Sequence, residues 1–168
     1  MMKKIVYLKV LFSFFIATFT LSAQNQILQP GEKFPDFCFE AENGDEVRIQ
    51  DFKGKYVYID VWASWCSACL AAKPRIQSMK EKLSDRNIVF VSISIDSNVQ
   101  DWKRVIKEKN LSGIMLRCEE DAPFVKSFDI RAVPRFMLID REGIIVNSMM
   151  SHPASLATIE TLKRLQGL

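Results

Sequence analysis

The stretch WASWCSAC, residues 62–69, places Cys66 and Cys69 two residues apart. It overlaps KYVYIDVWA (55–63), a nearly continuous apolar run that is typical of a strand buried on both faces of a mostly parallel sheet. Across residues 66–83, apolar side chains recur at steps of three or four, which predicts a helix. Cys66 is therefore expected where a strand meets a helix, because free amide N–H groups and the helix dipole favour an anion there.

A thiolate is such an anion, and it is the nucleophile in disulfide exchange. The spacing predicts that Cys66 attacks a client disulfide and forms a mixed disulfide with it. Cys69, one helical turn deeper, would act as the resolving thiol that displaces the product and closes a redox-active Cys66–Cys69 disulfide. The leading hypothesis is therefore a thiol-disulfide oxidoreductase that uses no metal and no cofactor.

Three other interpretations of the pair stay open at this point. The two thiols could hold a soft metal ion such as Cu(I); a zinc site would need two more ligands, and the chain has one histidine and no second CxxC. A thiol peroxidase would use Cys66 on hydroperoxides, although Ala63 stands where peroxidase sites have Thr or Ser. The third alternative is a permanent structural disulfide.

Two further features are candidates for the same site. Asp60 interrupts the apolar strand six residues before Cys66, and burial at such a position disfavours its charged form. It could take the proton from Cys69 during resolution, or it could be an inert, hydrogen-bonded residue near a strand edge. Val133-Pro134 directly precedes another predicted strand, and a cis-proline there would offer backbone groups to an extended client. Trp65 is the better candidate for a client-facing surface, whereas Trp62 is expected in the core.

The flanking sequence predicts an α/β domain. Asn43-Gly44 indicates a hairpin turn between FPDFCFEA and EVRIQDF, ahead of the strand that precedes the cysteines. That strand, the helix at 66–83 and a second buried strand form a βαβ unit. Pro74 should kink the helix. The remaining predicted elements are a strand at 87–96, a helix at 99–109, a strand at 113–118, a helix capped by Asp121 that runs to Phe128, strands at 135–140 and 144–150, and a helix at 153–166.

Asp60, WASWCSAC, Pro74 and the Val-Pro pair before a strand together resemble the thioredoxin superfamily. The hairpin and the extra helix-strand segment before IRAVP resemble its exported TlpA/ResA-like branch, and the likeness covers residues 31–168. It implies a thioredoxin-like fold, a mixed central sheet flanked by helices with an N-terminal β-hairpin and a helix-strand insertion. It also implies thiol-disulfide exchange by the motif cysteines, a cis-proline at Pro134, proton transfer assisted by Asp60, and a kink at Pro74.

The chain departs from that branch at three positions. Ser67-Ala68 stands between the cysteines, where many relatives have Gly-Pro or Glu-Pro, so the direction of the redox reaction is left open. Ala72 occupies the position of a Glu that many relatives carry three residues after the second cysteine, and Asp60 would then handle more of the proton transfer. Arg135 replaces a common Thr after the proline, a change expected to affect the choice of client.

The first 23 residues are typical of a secretory signal. Lys3, Lys4 and Lys9 precede an uncharged, Phe-rich run at 10–21, and Ala23 offers a small residue for cleavage. We expect a cleaved signal peptide at 1–23, with an uncleaved membrane anchor as the alternative. A polar linker at 24–30 would then lead into the domain at 31–168. Export predicts the periplasm, where thiols become oxidised and stay so.

Outside the predicted signal, the charges of the chain are balanced. The formal net charge is +3, from 23 basic and 20 acidic residues, but three of the basic residues lie in the predicted signal. The remaining chain has 23 − 3 = 20 basic residues against 20 acidic ones, so no nucleic-acid partner is predicted. We expect a monomer that acts on exported client proteins and exchanges electrons with a membrane thiol donor or acceptor.

Cys38 and Cys118 are predicted to be buried free thiols, with a disulfide between them as the alternative.

Overall fold

A computed structural model of the chain describes residues 27–168. The predicted signal at 1–23 and the first residues of the predicted linker lie outside this range. Within the linker, the Leu28 N–H donates a hydrogen bond of 2.8 Å to the carbonyl of Ser127, and the Leu28 side chain packs against the core. This part of the predicted linker is therefore attached to the domain.

Seven strands, four α-helices and one 3₁₀ helix make up the described chain. In order they are β1 Cys38–Ala41, β2 Glu46–Arg48, the 3₁₀ helix Ile49–Phe52, β3 Tyr56–Trp62, α1 Ser67–Lys82, β4 Ile88–Ser94, α2 Val99–Glu108, β5 Ile114–Arg117, α3 Pro123–Ser127, β6 Arg135–Ile139, β7 Ile145–Met150 and α4 Leu156–Lys163. None of these helices is long and apolar enough to cross a bilayer.

The strands form one mixed sheet in the order β2-β1-β5-β4-β3-β6-β7. Its centre is parallel, because β3 pairs with β4 and β4 with β5 in the same direction, and β6 runs antiparallel to β3. The carboxyl end of β3 therefore meets the amino end of β6. This arrangement brings the sequence after Trp62 to the same edge of the sheet as the sequence before Arg135, and it confirms the predicted mixed sheet, hairpin and βαβ unit.

Apolar side chains cover both faces of the sheet. On one face, Tyr58 and its neighbours in the sheet pack against α1 and α4 through Ile76, Met79 and Leu162. The other face is covered by α2, α3 and the segment before β1, which contribute large aromatic side chains such as Trp102. Every residue of β3 is buried, so a charged side chain on this strand is shielded from solvent and needs a partner inside the protein.

Three local predictions need correction. The cap of α3 is Ala122, which makes no side-chain hydrogen bond, so Asp121 does not cap this helix as predicted. The second hairpin strand ends at Arg48, because the chain turns into the 3₁₀ helix instead of continuing to Phe52. Helix α4 begins only at Leu156, since the Ser155 hydroxyl accepts a hydrogen bond from the Ala157 N–H and sets its start.

Candidate active site

Cys66 is the N-cap residue of α1 and follows the loop at the end of β3. Its backbone is extended, and its Sγ accepts a hydrogen bond of 3.1 Å from the Cys69 N–H. A cap position normally holds an oxygen that satisfies one of the free N–H groups of the first turn. The position of Cys66 at a helix N-terminus is the one that the sequence predicted, and the stabilisation of a Cys66 thiolate there stays a prediction.

The two motif cysteines form a disulfide, with a Cα–Cα distance of 5.3 Å. Cys66 keeps 7% of its surface exposed and Cys69 keeps 2%. The residues between them, Ser67 and Ala68, are exposed. Access to the disulfide from solvent is therefore through Cys66, and this order of depth suits Cys66 as the attacking thiol and Cys69 as the resolving thiol.

The peptide bond between Val133 and Pro134 is cis, which confirms the prediction for this pair. The Val133 carbonyl oxygen lies 3.6 Å from the Cys66 Sγ, so the two loops at this edge of the sheet meet at the reactive sulfur. Trp65, directly before the sulfur, is 66% exposed, whereas Trp62 is fully buried. Both tryptophans thus have the predicted exposure.

Asp60 is buried, and it is paired. Its Oδ2 accepts a hydrogen bond of 2.6 Å from the Lys73 Nζ, and its Oδ1 accepts one of 2.6 Å from the Ser92 Oγ. The sequence analysis missed Lys73, which lies on the buried side of α1 one turn after Cys69. A signal was present, because position 73 falls between the buried positions Ala72 and Ile76 of the same apolar stripe.

A second polar cluster fixes the loop between β3 and α1, and the sequence analysis missed it as well. The Asp96 carboxylate accepts hydrogen bonds from the Ser64 N–H, at 2.9 and 3.1 Å to its two oxygens, and from the Ser64 hydroxyl at 2.7 Å. It also accepts one from the Ser94 hydroxyl. Asp96 is 2% exposed, and these contacts anchor Ser64, which lies two residues before Cys66, to the segment that follows β4.

Pro74 lies inside α1, where the helix continues through it. Proline has no N–H, so the bond that would reach the carbonyl of Leu70 cannot form. That carbonyl belongs to the turn that carries Cys69. The kink expected at this position stays a prediction.

Cys38 and Cys118 are both free thiols. Cys118 is partly buried and packs against the core, and burial raises the pKa of its thiol to about 12. Cys38 is exposed, so its predicted burial is wrong. The reason is its register: Phe39, the next residue of β1, faces the core, and adjacent side chains of a strand point to opposite faces.

The part of the chain from residue 27 onward contains no group of three or more metal-ligating side chains.

The Redoxin family matches residues 29–158, which is most of the chain. The chain belongs to the Redoxin family. Among curated proteins it is similar to the thiol-disulfide oxidoreductase ResA of Bacillus cereus, with 20% identity over 143 residues that cover 85% of this chain and 82% of the relative. It is also similar to the thioredoxin-like protein YneN of Bacillus subtilis, with 24% identity over 127 residues, 75% of this chain and 74% of the relative.

Solved structures show the same likeness. A protein from Bacteroides vulgatus that is assigned to the thiol-disulfide oxidoreductases superposes with a TM-score of 0.72 at 38% identity, covering 79% of this chain and 87% of that one. The thioredoxin domain of another oxidoreductase from this organism gives a TM-score of 0.71 at 28% identity, with coverage of 80% and 98%. The fold of this Redoxin-family chain is thioredoxin-like, and the protein is a thiol-disulfide oxidoreductase with a Cys66–Cys69 pair.

Proposed function

We propose that the protein exchanges disulfides with exported client proteins through Cys66 as the attacking thiol and Cys69 as the resolving thiol. The placement of Cys66 Sγ at the N-terminus of α1 carries this assignment, because the Cys69 N–H already donates to it there. In the reduced protein the same donor would stabilise the Cys66 thiolate. Cys69 is buried and adjacent, so it reaches the mixed disulfide only after Cys66 has attacked.

Trp65, Val133 and Pro134 form the proposed client-binding surface. The exposed Trp65 ring offers apolar contact beside the sulfur. The Val133 carbonyl, 3.6 Å from that sulfur, is a backbone acceptor for an extended client segment. These groups come from the ends of β3 and β6, which the sheet holds in a fixed register. A client cysteine bound in this way would lie against Cys66.

Asp60 is the proposed acceptor of the Cys69 proton. Lys73 and Cys69 are four residues apart on α1 and therefore share one face of the helix. The Lys73 Nζ donates to Asp60, so the carboxylate is bonded to the face of α1 that also carries Cys69. Its removal should slow resolution more than the first attack, because only the resolving step takes the proton from Cys69.

The trapping experiment uses the Cys69→Ser variant, expressed with its full N-terminal segment. We expect mixed disulfides with envelope proteins to accumulate at Cys66, because the second thiol is absent. Non-reducing gels followed by mass spectrometry would identify the clients. The Cys66→Ser variant is the matched control and should trap nothing; equal trapping by both variants would contradict the assignment of the attacking thiol.

The location proposed for this chemistry is the periplasm, reached through the predicted signal at 1–23. The similarity to the thiol-disulfide oxidoreductase ResA supports this proposal at the level of the family. A membrane thiol donor or acceptor would then return the Cys66–Cys69 pair to its starting state, and the protein would act as a monomer. Fractionation, with sequencing of the mature N-terminus, distinguishes a cleaved signal from an uncleaved anchor.

A further inference from the structure

Arg135 is the first residue of β6 and directly follows the cis-proline. It is partly buried, and within residues 27–168 its side chain makes one hydrogen bond, from Nη1 to the Ser148 carbonyl of β7 at 3.4 Å. This distance is longer than that of a typical N–H···O bond, and a guanidinium group has five N–H donors. Most of the hydrogen-bonding capacity of Arg135 is therefore unused in the structure.

The other partly buried arginines of residues 27–168 all have a partner for their charge. Arg48 and Arg117 pair with carboxylates at 3.5 and 2.8 Å, and the Arg141 guanidinium lies 5.7 Å from the centre of the Tyr56 ring. Arg135 has neither an ion pair nor a ring partner among the same residues. The sequence before residue 27 contains no Asp or Glu. A carboxylate for the Arg135 guanidinium, which matches that group with two parallel hydrogen bonds, would therefore come from another molecule.

The chain around Arg135 offers no competing carboxylate. Residues 130–139 and 144–155 form the cis-proline loop, β6, β7 and the turn before α4, and they contain no Asp or Glu. Asp129, which precedes this loop, accepts a hydrogen bond of 2.8 Å from the Arg131 Nε. The part of the molecule on the β6 and β7 side of the reactive sulfur thus presents an unpaired positive charge.

The opposite side of the reactive sulfur is acidic. The sheet places β4 on the other side of β3 from β6, and a cavity of about 370 Å³ lies at the end of β4. The Trp65 ring is part of its wall, and the charged residues of the wall are Asp96, Asp101, Glu120 and Arg104. Three carboxylates against one guanidinium disfavour a further negative charge there. An acidic side chain of a bound client is therefore directed to the β6 side.

We propose that Arg135 is a specificity-determining residue that binds an acidic side chain of the client, so that the protein acts preferentially on clients with Asp or Glu close to the reacting cysteine. The inference rests on the proposed function and adds the class of client to it. The Val133 carbonyl lies 3.6 Å from the Cys66 Sγ, and Arg135 follows two residues later in the chain. An extended client advances about 3.3 Å per residue, so its acidic residue is expected two or three positions from its cysteine.

The test compares symmetric peptide disulfides that differ at one position. Two copies of a short peptide are joined through their single cysteine, and the residue two positions before or after it is Glu, Gln or Lys. Acid quenching and mass spectrometry follow the formation of the Cys66 mixed disulfide by the reduced protein. Each rate is divided by the rate of the same peptide with dithiothreitol, which removes the effect of the substitution on the peptide sulfur itself. With Glu on one side of the cysteine, we expect attack about tenfold faster than with Gln, and slower attack with Lys.

Three variants separate recognition of the client from other effects of the charge. Arg135→Gln should attack the Glu and Gln peptides at equal rates and should keep the parent rate with hydroxyethyl disulfide, a small uncharged substrate. Arg135→Glu should reverse the preference in favour of the Lys peptide. Arg131→Gln is the matched control, because it removes the same charge from the same loop, and it should keep the tenfold preference. Circular dichroism checks that each variant is folded.

Equal rates for the Glu and Gln peptides with the parent protein, at both positions, would overturn the proposal. So would a folded Arg135→Gln variant that attacks the peptides and hydroxyethyl disulfide more slowly by one common factor, because Arg135 would then act on the Cys66 sulfur and not on the client. Loss of the preference in Arg131→Gln would also overturn it, since any charge of the loop would then suffice. A parent protein that forms no mixed disulfide at Cys66 with any substrate would contradict the proposed function itself.

Discussion

Single residues decide which thiols of this protein react. Cys66 is held at a helix N-terminus, where a backbone N–H donates to its sulfur, whereas Cys118 packs in the core without such a donor. The sequence predicted the first environment, because a strand followed by an apolar helical stripe is a local pattern. It could not predict that Cys38 is exposed, because the face that a strand residue occupies depends on the register of the whole sheet.

The free cysteines should differ in alkylation. Burial raises the pKa of Cys118 to about 12, so very little of its thiolate is present at pH 8, whereas Cys38 is open to the reagent. We expect iodoacetamide to label Cys38 alone in the oxidised native protein, as read by peptide mass spectrometry. The Cys38→Ser variant should stay unlabelled until denaturant is added; rapid labelling of its Cys118 in the native state would contradict the assigned burial.

Lys73 marks the limit of prediction at this scale. A lysine in a helix is normally expected to be solvent-exposed, so the position of Lys73 within the apolar stripe was passed over. Its partner was predicted as a carboxylate isolated in an apolar strand. Only the packing of α1 on β3 and β4 shows that three polar side chains from three elements meet there.

At the scale of elements, the loop between β3 and α1 depends on Asp96. This loop carries Trp65 to the surface and Cys66 to its cap position, and its backbone is bonded to the carboxylate at the end of β4. The predicted βαβ unit placed β4 beside β3, but the bond between Ser64 and Asp96 was not predicted from it. Residues at the carboxyl ends of neighbouring parallel strands meet by topology, and this is the signal that could have found it.

The Asp96→Ala variant should test this anchor. It leaves the Ser64 N–H and two hydroxyl groups without their acceptor, and we expect a loss of about 2–4 kcal/mol in the free energy of unfolding, measured in urea. Cys66 should also attack a small disulfide more slowly, because its cap geometry is loosened. Asp101→Ala is the matched control, since Asp101 forms an exposed pair with Arg104, and it should cost less than about 1 kcal/mol.

The boundaries of elements were predicted less well than their types. The errors at the start of α3 and the end of β2 have one cause. Asp121 favours a helix start and the alternating EVRIQDF run favours a strand, but the tertiary packing of the chain prevents both. Long periodic segments such as α1 kept their predicted limits, because their buried stripe must face the sheet along its whole length.

The whole molecule should lose stability in alkali. Burial raises the pKa of Tyr58, and that of Cys118 to about 12, so the folded state holds both protons more tightly than the unfolded state does. Their contribution to stability is complete below the unfolded values, roughly 10 for Tyr and 8.5 for Cys. It falls as pH rises above them, by up to about 1.4 kcal/mol per pH unit for each group.

Urea unfolding of the oxidised protein between pH 7 and pH 11 checks this expectation. Tyr58→Phe removes a buried hydroxyl that has no hydrogen-bond partner, so it should cost little at pH 7 and should make the alkaline decline less steep. The Arg131→Gln variant, which removes a charge from the protein surface, serves as the control. Its stability should decline with pH as steeply as that of the parent. A decline of equal steepness in Tyr58→Phe would exclude the phenol as a cause.

The exposure of Ser67 and Ala68 has a practical consequence for protein engineering. Neither side chain is needed to fill the interior, so this dipeptide can be exchanged for many others while the scaffold keeps its packing. A library at these two positions would yield enzymes with graded reduction potentials on one common fold, and thus a matched set of reagents for oxidising or reducing chosen proteins.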